Sequence, residues 1–145
     1  MVEYETFIKD ELKKHKIRVH KWGKYDENET YWAYFNSRRV YIPVPECSYS
    51  LLLSLHEIGH LVMGNHIYGH IAEYKAEMWA IKTAFEKFNI KNEEYESTGR
   101  NYIYENILED ILVRKMEIDE IPKPIMKWVR TTPTKIRKSI IKYKL

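Results

Sequence analysis

Only one cysteine, Cys47, occurs in the 145 residues. That excludes an intramolecular disulfide and any multi-cysteine zinc ribbon, and a reducing cytoplasm is the expected setting. Glycine and proline number five each, and there is no repeat or low-complexity segment. No apolar run approaches the roughly 18 residues of a membrane span. The opening MVEYETFIKDELKK is charged from its third residue and lacks the apolar stretch of a secretory signal, so a soluble protein is expected. Acid is missing from residues 123–145, which carry eight of the 24 lysines and arginines; the other 16 share residues 1–122 with all 21 acids. A basic segment of this kind suits nucleic acid or an acidic partner, or it docks on its own acidic body, which is the plainer expectation. What is plentiful is apolar and aromatic: 44% hydrophobic residues, with 12 Tyr and 4 Trp, enough for one core.

Tyr4, Phe7, Ile8 and Leu12 recur at helical spacing over residues 3–16. Residues 17–22 alternate as a strand does. Residues 30–35 and 39–44 are aromatic and β-branched, with Asn36 and Ser37 suited to a hairpin turn between them. A buried helix is expected from Ser48 or Ser50, acting as cap, through Met63, stopped by Gly64 and Asn65. Further helices are expected over 71–88 and 101–116, a polar connection over 91–99, and short helices over 125–130 and 134–144. Strands followed by helices make the fold α+β, with a small antiparallel sheet. The expected organisation is one domain over residues 1–122 and a basic C-terminal tail over 123–145, packed on the same domain.

His56-Glu57-Ile58-Gly59-His60 places HExxH inside the buried helix. The four-residue spacing puts both imidazoles on one face, one turn apart, able to share one zinc ion. Glu57 can reach a water bound there and take its proton, the minimum apparatus for metal-assisted peptide hydrolysis. Chance in this composition yields only about 0.03 such motifs. Uncoordinated, these groups would cost several kcal/mol on a buried helix. A catalytic zinc needs a third protein ligand. Glu73, in the first turn of the next helix, is one candidate, with Glu77 one turn later suited to orient a ligand histidine. His66, six residues past His60, is the rival, and His70 reads as a loop or substrate-contact residue. Cys47 is expected to be a small buried hydrophobe.

HEIGHLVMG followed by EYKAEMWAIKTAF resembles the ImmA/IrrE-type metallopeptidases, a gluzincin-like group with HExGH, a loop, then E-x-x-A-x-x-[FW]-A, here on Glu73, Ala76, Trp79 and Ala80. YIPVP before the helix fits the same pattern, and the resemblance covers about residues 30–90. It implies a zincin-like fold in which His56, His60 and Glu73 bind zinc and Glu57 is the catalytic base. It also implies a protein substrate, often a transcriptional regulator, in bacteria, phages or mobile elements. HEIGHLVMGNH is similar too to the SprT-like proteases. There His66 would be the third ligand and the basic tail a DNA tether. A metal-containing protein that acts only by binding through its tail is the non-enzymatic alternative. An extended substrate would lie along an edge strand, either 39–42 or 30–35. Tyr102, Tyr104, His66 and His70 are candidates to stabilise the oxyanion. Trp128 and Tyr143 could stack on bases, although packing is the plainer role.

Overall fold

The computed structural model describes residues 2–26, 29–64 and 69–130. His66, Tyr143 and the expected 134–144 helix lie outside them. The elements are α1 (Val2–Lys14), β1 (Arg18–Gly23), β2 (Trp32–Tyr34), β3 (Arg39–Pro43), α2 (Ser48–Val62), α3 (His70–Phe88), α4 (Glu93–Leu112), a 3₁₀ turn (Ile118–Glu120) and α5 (Lys123–Arg130). They form two compact units. One holds α1, the sheet, α2 and the chain from Lys75 to Asn92; the other holds the first turn of α3 and the described chain from Glu93 onward. Among the described residues no helix is long and apolar enough to cross a membrane.

In the first unit, α1 buries Ile8 and Leu12 and sets Tyr4 and Phe7 edge-on against Phe88. Glu3 and Glu5 open this helix and Lys13 and Lys14 close it, each charge placed to suit the helix dipole. Lys16, at φ 56, turns the chain into β1.

The sheet runs β1-β3-β2 and is mixed: β2 and β3 are antiparallel, whereas β1 and β3 are parallel. The antiparallel expectation is therefore corrected. The chain leaving Gly23 passes beyond the place of β3 before forming β2, and the return strand fills the gap. Val40 and Ile42 of β3 are fully buried, which is why this strand takes the centre, with a neighbour on each side. Of the two strands offered as a substrate edge, 39–42 is consequently excluded, and β2 is an edge.

Five apolar side chains of α2 (Leu51, Leu52, Leu55, Ile58, Leu61) are at most 2% exposed. The Ser54 hydroxyl, buried beside them, is shared between the carbonyls of Pro43 (2.9 Å) and Ser50 (3.0 Å), joining the helix to the end of β3. The cap is Cys47, not Ser48 or Ser50; its N–H donates to Ser50 Oγ at 3.0 Å, so Ser50 closes the first turn from inside. Gly64, at φ 64, follows the last turn as a left-handed stop.

In the second unit, α4 starts at Glu93 rather than residue 101, so the expected polar connection is helix from residue 93 onward. Tyr95, Gly99, Ile103 and Ile107 form one buried row at four-residue spacing. Gly99 adds no apolar bulk, which hid the row's first half in the sequence. Glu93, Glu94 and Glu96 favour the helix N-terminus. The helix ends at Leu112, not 116, and Lys115 at φ 60 carries the chain away. Ile121, Ile125 and Val129 pack with Ile103, Tyr104 and Ile107, joined by Tyr74 and Trp128. The head of the basic segment is thus α5, a helix with a buried apolar stripe and exposed Lys123, Lys127 and Arg130.

Candidate metal centre

On α2, one turn apart, His56 and His60 are each under a tenth exposed. Their rings stand 4.8 Å apart between centroids and nearly perpendicular, at 86°. One donor atom from each of His56, Glu57 and His60 lies within 4.8 Å of the other two. That set, two imidazoles and a carboxylate with converging donors, has the chemistry of a site for a divalent transition ion.

Glu77 of α3 fixes the orientation of His56: its Oε1 accepts from Nδ1 at 2.6 Å, with Glu77 only 2% exposed. A proton held on Nδ1 leaves the lone pair on Nε2, the form a metal ligand requires. The approach of α3 depends on Gly59, the fourth residue of the motif. A Cβ there would lie 2.9 Å from the Ala76 carbonyl oxygen and 3.2 Å from both Ala76 Cα and the Trp79 ring. Ala76, Ala80 and Ala84, all fully buried, form a row of small side chains along α3. Gly59→Ala is expected to cost roughly 1–3 kcal/mol by forcing backbone against backbone, measurable as a lower urea midpoint with unchanged m. A variant as stable as the parent would show that the helices separate freely.

Phe35, in the turn after β2, sets its ring edge-on to His60 at 6.1 Å. The β2 edge therefore ends beside the cluster.

The other sequence-derived candidates fall elsewhere. Glu73 occupies the first turn of α3, half-buried, four residues before Glu77 in the same helix; it is not a member of the three-donor group. His70 is no loop or substrate-contact residue. It is the first residue of α3, fully buried, and its Nδ1–H donates to Asp110 Oδ2 at 2.6 Å. The same oxygen accepts the His70 backbone N–H at 3.0 Å, and Arg114 donates to Oδ1 at 2.6 Å. Burial pushes the Asp110 carboxyl up. The His70 N–H groups and Arg114 outweigh it and hold Asp110 below its ordinary value. Gly69, at φ 108, makes room: a Cβ there would come 2.6 Å from Asp110 Oδ2. The sequence reading missed Asp110; its signal was an acid three residues after Ile107 on the apolar row. Tyr104 is buried in the apolar cluster of its unit, and Tyr102 is 45% exposed. Cys47 is exposed rather than buried, because the first residue outside a helix faces solvent here.

Among known proteins, no family model, curated sequence or solved structure matches the chain.

Proposed function

We propose that the chain is a zinc-dependent metallopeptidase of the ImmA/IrrE type that hydrolyses a peptide bond in a protein substrate. The observation that carries this reading is the buried His56–Glu57–His60 group with His56 oriented by Glu77. In this reading His56 and His60 hold the ion. Glu73 completes the ligand set, on the face of α3 that also bears Glu77, since residues four apart share a face. His66 is the alternative third ligand, in the manner of SprT-like proteases. The ion would supply Lewis acidity and a water acidic enough to lose its proton near neutral pH. Glu57 would be the base that accepts a proton from the attacking water and returns it to the leaving amine. The β2 edge, followed directly by Phe35 beside His60, supports a role in aligning an extended substrate. The proposed setting is the cytoplasm, and a transcriptional regulator is the substrate suggested by resemblance; in the SprT-like alternative residues 123–145 would be the DNA tether.

The test is elemental analysis of the purified full chain together with cleavage of a peptide library. About one zinc per chain is expected, with cleavage lost to a chelator and restored by zinc. Glu77→Gln should retain the fold by circular dichroism yet weaken zinc roughly 10–100-fold. A chain that takes up no divalent ion would overturn the proposal.

A further inference from the structure

The sheet buries one face, where Val40 and Ile42 point, and leaves the other in solvent. Strand register decides what stands there. Arg18 lies opposite Arg39, and Arg39 opposite Tyr34; Lys21 lies opposite Tyr41, and Tyr41 opposite Trp32. Side chains directly opposite one another share a face, so each row of three crosses the whole sheet. The register shift between Val19 and Lys21 accommodates His20, whose ring tilts over Tyr34 at 5.2 Å. Trp32 is 57% exposed and Tyr34 42%. Lys21 Nζ rides 5.3 Å above the Tyr41 ring.

Each row therefore combines an aromatic surface with at least one cation, and no strand position in either row is a carboxylate, although Glu29 accepts from the Tyr41 hydroxyl at the edge of the second row. The acids nearby, Asp26 and Glu29, border an open depression of about 630 Å³ at the Gly23 end, with Lys21 and Tyr41 on its rim. The rows sit two residues apart along β3, roughly 7 Å. We propose that this face binds single-stranded DNA, with bases stacked on Trp32 and Tyr34 and phosphates held by Arg18, Arg39 and Lys21. A duplex hides the ring faces that these aromatics would meet. Stacking and phosphate contacts need no 2′-hydroxyl, so DNA is the occupant proposed, and an oligouridylate serves as the comparison. An acidic protein partner would meet the same cations, and competition by polyglutamate separates it from DNA. The proposal is independent of whether the α2 cluster holds metal.

Fluorescence anisotropy of an oligothymidylate about 15 nucleotides long, with the full chain at about 50 mM salt, tests it. Three phosphate contacts predict a log–log salt slope near −2. Trp32→Ala combined with Tyr34→Ala, both at exposed positions, should weaken binding at least tenfold with unchanged circular dichroism. Trp32→Phe should keep most of the affinity and lose the tryptophan quenching that the oligonucleotide causes. Arg18→Gln with Arg39→Gln should flatten the slope by about 1.4. Binding that survives all these changes, but disappears when Lys135, Arg137, Lys138, Lys142 and Lys144 become Gln, would overturn it. So would an oligouridylate that binds tenfold more tightly, or a polyglutamate that competes equally well.

Discussion

Replacing Glu57 with Gln is expected to lower kcat/KM for peptide cleavage by about 10²–10⁴-fold while zinc stays near one per chain. The fold-change is equivalent to roughly 3–5 kcal/mol of lost transition-state stabilisation. The substitution preserves size and hydrogen-bonding shape and removes only the group that can accept a proton. Glu57 is the least buried of the three clustered residues, partly exposed where His56 and His60 are buried, so the substitution should spare the fold. This experiment separates two accounts of the same cluster. If the ion serves hydrolysis, cleavage collapses and metal content holds. If the ion only supports the structure for a binding role, Glu57→Gln leaves cellular function intact, and the peptidase proposal fails. Loss of zinc in the variant would show instead that Glu57 is itself a ligand, an outcome its membership of the donor group makes worth measuring.

What the sequence made legible were features set by local spacing. The HExxH helix, its glycine stop and the convergence of His56, Glu57 and His60 follow from helical periodicity alone. A Glu77 carboxylate accepting from a histidine of the motif was also readable, because an acid in the helix that follows the motif is suited to orient a ligand imidazole. What stayed hidden depends on partners distant in the chain. Aromatic and β-branched content in residues 39–44 marks a strand but does not say which strands flank it, so the parallel β1–β3 pairing was invisible. Gly99 interrupts the apolar row of α4 although it is buried within it. Gly59 reads as a helix-weakening residue until the Ala76 carbonyl is seen against it. His70 and Asp110, 40 residues apart, look like surface polar groups until the fold joins them.

That pair carries the largest stability effect expected in the second unit. Asp110 accepts three hydrogen bonds while only 4% exposed, two from His70 and one from Arg114. Asp110→Ala strands the His70 ring and the first amide of α3 without an acceptor, and about 3–5 kcal/mol should be lost near neutral pH. Arg114, about half exposed, can turn to water and contributes little to that loss. The pH dependence follows from the direction of the Asp110 shift. Its carboxyl in the folded chain lies below the ordinary 3.8. The charged form is therefore favoured by folding, and its contribution is complete above 3.8 and fades as pH falls through the lower, folded value. Urea titrations of wild type and Asp110→Ala should accordingly show a constant stability gap from neutrality down to about pH 5 and a narrowing gap below about pH 4. Asp110→Asn, which keeps one carbonyl for the ring N–H, should fall between the two. Hydrogen exchange at the His70 amide supplies a local readout: it should accelerate in Asp110→Ala before the α2 amides change, since the carboxylate bonds that amide directly. A variant within 1 kcal/mol of wild type, with His70 exchange unchanged, would mean that the α3 entry is held by something other than this carboxylate.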